Sequence, residues 1–415
     1  IGCLDISSPM QPKLLSYDVA IVGAGPAGSS AAYECGKAGL RVALLEEDAE
    51  VGVPIQCGEG ISSYAFEGFD IGPSKDFISQ EIGTLRVIFP NGNWMLVREK
   101  GYELNRDKFD QYLTARATAV GCDLLTSSKV TSFDPSQKLL VVNRRRKEGD
   151  TWATEDVQMS AEVVIGADGS KSNVAQWAGL MSKDDWHDNL IRAYELKVDG
   201  VDVDGFNLYF LPKIAPGGYA WVFRKGKGIA NIGIATTERD SVVRLGRFMK
   251  HLNLNGRVIS RTGGAIPYRG PVERSYGDGV MVVGDAAGQT NPIFLGGIFT
   301  SMQCGKIAGE VAVESIRAQD SSATFLSRYE KSWRKLPLAD SSLVRTAKII
   351  HSSTPEQWES LGRLIGKLDL TNVSRLTKMR IILKTLLPQY WSLVPLVPSM
   401  PMVMKAFEIT RRWGW

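Results

Sequence analysis

The stretch Tyr17-Asp18-Val19-Ala20-Ile21-Val22-Gly23-Ala24-Gly25-Pro26-Ala27-Gly28 decides the fold. Tyr17 to Val22 is an apolar strand candidate, and three glycines follow at GxGxxG spacing. Ser29 to Ala38 then reads as a helix of small residues stopped by Gly39. Leu40 to Leu45 is the next strand candidate, ending at Glu46. This is a β-turn-α-β unit. Gly23 permits the tight turn, Gly25 lets backbone approach a pyrophosphate, and Gly28 lets helix and strand pack closely. The helix N-terminus offers free N–H groups and partial positive charge to phosphates. Glu46 lies about 20 residues on, where an acid bonds ribose hydroxyls. GxGxxG alone also fits a plain structural turn. Here it follows a strand, opens a helix and has its acid in place, so a dinucleotide is expected. The motif does not choose between FAD and NAD.

Composition narrows the class. The chain has 415 residues, 44% hydrophobic and 23% charged, which suits a globular protein of two or three domains. A net charge of only +4 makes no case for nucleic acid. Cys3, Cys35, Cys57, Cys122 and Cys304 are scattered, without CxxC spacing. Neither a disulfide framework nor a zinc site is expected, and a reducing cytoplasm fits. His187, His251 and His351 form no cluster, so no metal centre is expected. Residues Ile1 to Ser16 lack the pattern of a signal peptide and read as a tail or upstream extension, with Met10 a candidate start.

Further along, Arg106 to Val120 is helical, with Phe109, Leu113 and Ala117 on one face. Val163 to Gly166 reads as a buried strand ending at Asp168-Gly169. Arg192 to Ile234 is strand-rich and aromatic, as in an antiparallel sheet. Val280 to Val283 is a strand ending at Gly284-Asp285, before a helix from about Gly297 to Ile316. From Ser327 on the pattern is mostly helical. Strands ending in functional turns therefore recur on both sides of a sheet-rich insertion.

The run Val280-Met281-Val282-Val283-Gly284-Asp285-Ala286-Ala287 resembles the second FAD motif of flavoproteins built like para-hydroxybenzoate hydroxylase. The resemblance implies FAD, with Asp285 on the ribityl chain. Asp168-Gly169 resembles that group's DG motif, and Arg106 resembles the arginine that reaches the ribityl and phosphate region. Read as plain structure, Asp285 is a helix cap and Arg106 a solvated charge. By the same resemblance Gly23, Gly25, Ala27, Gly28, Glu46, Glu47, Cys57, Gly58, Arg106, Val130, Asp168, Gly169, Asp285, Gly296 and Gly297 contact the cofactor.

Two segments narrow the family. Gly52-Val53-Pro54-Ile55-Gln56-Cys57-Gly58-Glu59-Gly60 and Pro216-Gly217-Gly218-Tyr219-Ala220-Trp221-Val222-Phe223 together resemble the geranylgeranyl reductases, especially the archaeal ones. These reduce isolated double bonds in isoprenoid chains of lipids. In a strand, Tyr219, Trp221 and Phe223 share one face, an apolar wall suited to a prenyl chain; the bland reading is a core strand. The resemblance implies that they bind substrate with Pro292, and that Cys57 donates or orients the proton that completes reduction. As residues alone, Cys57 reads equally as a small buried hydrophobe. Two positions depart from the family: Arg224 stands where proline is common, and Leu295 where glycine is common, which narrows the space beside the flavin.

The implied fold is α/β, or α+β overall: a Rossmann-type FAD-binding domain (16–80, 100–185 and 262–318), an inserted antiparallel-sheet substrate domain (81–99 and 186–261) and a C-terminal helical region (319–415). The implied partners are a prenylated lipid and an electron donor, NAD(P)H or a ferredoxin-like carrier. Asn143-Arg144-Arg145-Arg146-Lys147 reads as a solvated hairpin turn, or as a dock for an acidic carrier. Thr385 to Met404 is uncharged but holds Pro388, Pro395, Pro398 and Pro401, which break a spanning helix. Its flanks, Lys378, Arg380, Lys384, Lys405, Arg411, Arg412, Trp413 and Trp415, suit a membrane interface; a helical subdomain packed on the core is the other reading. The expected location is the cytoplasm, either free or peripheral on the inner face of the cell membrane. The rival functions are a monooxygenase of the same fold and an electron-transfer flavoprotein:quinone-type oxidoreductase, with a non-enzymatic flavoprotein behind them.

Overall fold

The computed structural model describes residues 14–148, 151–370, 373, 380–381, 383–385 and 387–414. Cys3, Met10, Lys378 and Trp415, named above, lie outside the described residues. β1 (Leu14–Val22) leads through the glycine turn into the Pro26–Lys37 helix and on to β2 (Val42–Leu45). β3 (Gly60–Ser62), β4 (Ile78–Ile88) and β5 (Trp94–Leu104) follow. The Arg106–Ala119 helix precedes β6 (Asp123–Leu125), β7 (Ser128–Asp134), β8 (Leu139–Glu148) and β9 (Thr151–Gly166). Then come β10 (Leu190–Asp199), β11 (Phe206–Tyr209), β12 (Tyr219–Gly226), β13 (Ile229–Thr236) and β14 (Arg257–Pro267). β15 (Tyr276–Gly277) and β16 (Val280–Val282) lead to the Ile298–Ala318 helix. Among the described residues, helices follow at Ala323–Trp333, Ser341–Ser352, Pro355–Ile365 and Met400–Trp413, with β17 (Lys367–Asp369) and a 3₁₀ run at Pro388–Ser399 between them.

The first sheet runs β15-β16-β9-β1-β2-β6, with β7 and β8 continuing from β9 as an antiparallel ribbon. β1 lies parallel to both β2 and β9, and β9 is parallel to β16. Both faces of β1 are covered, so Val19, Ala20 and Ile21 are fully buried and the strand reads as an unbroken apolar run. Each such branched side chain contributes about 1.5–3 kcal/mol of burial. The Ile298–Ala318 helix lies on the Pro26–Lys37 helix almost backbone to backbone. A Cβ at Gly305 would stand 2.1 Å from the Ala27 carbonyl, and one at Gly309 would stand 2.6 Å from that of Ala31.

The second sheet runs β14-β10-β13-β12-β11-β4-β5-β17, with β3 on β5. The chain enters it from three sequence segments, because β3 to β5 lie between the strands of the first sheet. Both faces of β12 are packed. Tyr219 and Trp221 join a core with Leu295 and Trp358; Ala220 and Val222 face Phe248 of the Ser241–His251 helix.

The structure overturns the hairpin turn expected at Asn143 to Lys147. Asn143 to Arg146 form no hairpin turn; they lie within β8 and pair with β9, Arg144 opposite Glu155. Arg145 sits 5.3 Å from the Trp152 ring and Arg146 pairs with Glu155 at 3.4 Å, so the ribbon partners these charges.

Candidate active site

The glycine turn leaves room for a pyrophosphate. A Cβ at Gly23 would lie 2.3 Å from the Ala167 carbonyl, and one at Gly28 would lie 1.9 Å from that of Gly23. The protein's own backbone fills those two positions. At Gly25 a Cβ would meet nothing within 4 Å, although Gly25 caps the helix N-terminus. No acidic residue occupies the first turn, so nothing competes there for an anion. Glu46, at the end of β2, accepts from the Ala24 N–H at 3.1 Å and the Asp48 N–H at 3.0 Å. Each carboxylate oxygen keeps a free lone pair for a ribose hydroxyl. These residues fit the adenosine diphosphate half of FAD.

Gly284-Asp285 turns in against this loop. A Cβ at Gly284 would stand 3.0 Å from Ala27 Cβ, and its positive φ of 64° suits glycine. Gln289 accepts from the Gly284 N–H at 2.8 Å and donates to the Tyr329 hydroxyl at 2.8 Å, which fixes the turn. Asp285 accepts from the Thr290 hydroxyl at 3.0 Å. Burial pushes its carboxyl up, opposed by Thr290 and by the positive charge of Arg106. Asp168 accepts from the Ser172 hydroxyl at 2.6 Å and the Asn173 N–H at 2.8 Å, so it holds the Gly169 turn in shape. Arg106 is clamped by Asp110 through bonds of 3.1 and 2.8 Å. Its charge also bears on Cys57.

Cys57 is half-buried in the loop before β3. Burial raises its thiol pKa; Arg106 and the Glu59 N–H, 3.2 Å from Sγ, oppose that shift. Gly58 brings this loop onto the aromatic face of β12. A Cβ there would stand 3.4 Å from Phe223, 3.5 Å from Trp221 Nε1 and 3.6 Å from Glu195 Oε2. Tyr219, Trp221 and Phe223 line up at ring separations of 5.9 and 6.2 Å. Each of the first two has a polar tie: Tyr219 donates to the Phe294 carbonyl and Trp221 to Glu195 at 2.7 Å. Leu295 joins the same apolar cluster with a φ of 58°, a left-handed conformation that favours glycine. Pro292 is buried in that loop, beside Gly296 and Gly297; Gly297 approaches Asp285, with a Cβ position 3.1 Å from Oδ1.

Beneath the Cys57 loop lies a charge cluster that no motif announced. Glu59 is fully buried and its φ is 65°. It accepts from Lys225 at 2.8 Å, Lys197 at 3.2 Å, Asn231 at 2.9 Å and the Arg106 N–H at 3.1 Å. Burial alone would raise its carboxyl, but these donors hold it below its ordinary range. Asn231 also donates to buried Glu103 at 2.8 Å. The sequence holds one faint signal of this cluster: Glu195 and Lys197, two apart in a strand-like run, fall on one face.

Two expected cofactor contacts stand at the edge of this arrangement. Glu47 is exposed and pairs with Lys129 at 2.8 Å, and Val130 packs with Leu45 and Val142 on the far face of the first sheet. Most of the other residues named from sequence are joined by the contacts described above, from Gly23 beside Ala167 to Gly58 beside Phe223 and Trp221.

Residues 188–265 match the geranylgeranyl reductase catalytic domain, and residues 17–202 match the pyridine nucleotide-disulphide oxidoreductase domain. Digeranylgeranylglycerophospholipid reductase 1 of Methanopyrus kandleri is 40% identical over 334 residues, covering 77% of this chain and 87% of that protein. Digeranylgeranylglycerophospholipid reductase 2 of Methanothermobacter thermautotrophicus is 37% identical, covering 89% of this chain and 96% of its own. A geranylgeranyl bacteriochlorophyll reductase-like crystal structure from Thermoplasma acidophilum superposes with a TM-score of 0.76 at 29% identity, over 92% of this chain and 100% of that one. A flavin-dependent brominase, at 19% identity and a TM-score of 0.62 over 88% of this chain and 97% of its own, shares the fold. The chain belongs to the digeranylgeranylglycerophospholipid reductase family and is an FAD-dependent oxidoreductase.

Proposed function

We propose that this enzyme saturates isolated C=C bonds in the geranylgeranyl chains of membrane lipids or their precursors. The observation that carries the reading is the contact of the Cys57–Gly58 loop with the Tyr219–Trp221–Phe223 face, beside the Asp285–Gly297 turn. Bound reduced FAD supplies hydride to one alkene carbon. Gly25, Glu46, Arg106, Asp168 and Asp285 hold the cofactor, and Tyr219, Trp221, Phe223 and Leu295 hold the prenyl chain. An isolated alkene has no carbonyl to take up charge, so orientation and an acid must lower the barrier. Cys57 is that acid: its raised pKa keeps the thiol protonated near neutral pH. Cys57→Ala should cut double-bond reduction at least about 100-fold while FAD stays bound.

The test is anaerobic incubation of dithionite-reduced protein with a geranylgeranylated glycerolipid, read by mass. Two hydrogens gained per double bond support the reading; unchanged lipid counts against it. The physiological electron donor is a nicotinamide or a ferredoxin-like carrier, and anaerobic bleaching of the flavin by each separates them.

The C-terminal segment meets the membrane from the cytoplasmic side. Among the described residues no helix is long and apolar enough to cross a bilayer. Leu383, Leu387, Trp391, Val394 and Met404 are exposed there, near Lys384 and Lys405. Apolar and tryptophan side chains beside lysines suit the headgroup layer. Liposome flotation should fall on Trp391→Ser with Leu387→Ser; unchanged flotation would sink this contact.

A further inference from the structure

Glu195 is a buried acid that the reaction as described above does not use. It sits on β10 opposite Gly233 of β13, which in turn sits opposite Trp221 of β12. A Cβ at Gly233 would collide with the Trp221 ring at 2.1 Å, so that glycine lets the indole lie across β13. The indole N–H thereby reaches Glu195 Oε2 at 2.7 Å. The same oxygen lies 3.6 Å from the Cβ position of Gly58, the neighbour of Cys57. Glu195 is only 5% exposed.

Charges reach it from the Cys57 loop, β5, β10 and β12. Glu59 enters from the Cys57 loop, Glu103 from β5, Lys197 from β10 itself and Lys225 from β12. β13 supplies the neutral Asn231 and Gly233, and β14 places Thr262 opposite Glu195. Both ammonium groups lie on Glu59. Three ionised carboxylates against two lysines would leave net negative charge buried, which is costly. Burial therefore raises Glu195 to about 8, helped by the negative charge of Glu59 and opposed by the Trp221 bond and the two lysines. Glu103 is raised as well, and one of its oxygens has no hydrogen-bond partner.

We propose that Glu195 is a positioning residue for protonation, returning a proton to Cys57 after each turnover. The inference rests on Cys57 being the acid. As the C–H bond forms at the second alkene carbon, the Cys57 S–H bond breaks and leaves a thiolate; the two electrons have arrived with the hydride, and FAD ends oxidised. The Glu195 O–H bond then breaks as S–H re-forms. A solvent proton restores Glu195 on the side of Lys197, the more exposed of the two lysines at 20%.

The test uses the FAD-bound protein and E195Q, which keeps an acceptor for the Trp221 N–H. Cys57 alkylation by iodoacetamide is followed by peptide mass across pH. At the pH where the thiol ionises, Glu195 is an anion that opposes the thiolate, so E195Q should move the alkylation midpoint to lower pH. Wild-type kcat for lipid reduction should fall as pH rises through about 8. E195Q should be at least about tenfold slower below that pH, lack that fall, and keep KM within about twofold. E195D retains the acid and should restore the wild-type midpoint and profile; it serves alone if E195Q loses its FAD. An unmoved alkylation midpoint, a wild-type kcat profile in E195Q, or an E195D profile without the fall overturns the proposal. If the wild type reduces no lipid, the function proposed above fails, while the alkylation shift still decides the link between Glu195 and Cys57.

Discussion

The two sheets meet at one site but build their halves of it differently. The first presents mainly backbone: glycines at 23, 25 and 28, the Gly284 turn, and N–H groups at a helix end. Its carboxylates, Glu46 and Asp168, bond mainly to nearby main chain. The second sheet uses side chains from separate strands and one loop: Glu59, Glu103, Glu195, Lys197, Lys225 and Asn231 are drawn into one cluster, buried apart from the Lys197 end. A backbone site tolerates any sequence that makes the turn. A buried charge cluster requires each member, because removing one leaves another unpaired.

The largest expected effect separates fold from cofactor within the first sheet. Gly23→Val forces a branched side chain into the Ala167 carbonyl at a φ of 102°. It should cost more than about 4 kcal/mol and yield no stable holoprotein. Gly25→Ala meets no protein atom, so the apoprotein should keep its stability within about 0.5 kcal/mol. FAD affinity should still fall, by about 100-fold, or roughly 2.7 kcal/mol. Thermal melts with flavin titration check both. Equal behaviour of the two variants would break the distinction between chain-filled and ligand-facing glycines.

Next comes Glu59→Ala in the second sheet. It strands Lys225, Lys197 and Asn231, and should cost about 3–5 kcal/mol by denaturant unfolding. A loss under about 1 kcal/mol would show that the cluster is wetter than its burial indicates. Gly233→Ala is smaller, about 1–3 kcal/mol from overpacking against Trp221. It should also quench or shift tryptophan fluorescence as the indole leaves Glu195, and an unaltered spectrum would argue against the close stack.

The smallest effect is one of slope. Glu195 titrates at about 8 in the folded chain against an ordinary value of 4.5, so the folded state holds the extra proton between those values. Stability therefore falls as pH rises across that window, and the penalty is complete above about 8. E195Q should flatten the dependence of Tm on pH between 6 and 9 and raise Tm at the upper end, roughly by a few degrees. Parallel curves would contradict the raised carboxyl.

This difference between the sheets also explains how much could be read from sequence. Gly23 to Gly28 lie within a few residues of one another, so spacing alone carries their geometry. Gly284-Asp285 closes the same way. Tyr219, Trp221 and Phe223 share a face because a strand alternates. The Glu59–Asn231 bond joins residues 172 apart, and Trp221 meets Glu195 only through a register that passes over Gly233. Such contacts depend on which strands become neighbours, and no local pattern encodes that. The arginines of β8 failed for the same reason: a run of charges looks like a solvated turn until its partner strand supplies Glu155 and Trp152. Leu295 was legible as a departure, but its left-handed backbone was not.

Together the two halves act on an alkene. The most direct measurement is the absorbance of the reduced holoprotein mixed anaerobically with a digeranylgeranyl glycerolipid. Flavin colour should return without oxygen, with one flavin reoxidised per double bond lost. Flavin that stays bleached beside the lipid and regains colour only in air, releasing peroxide, would contradict it.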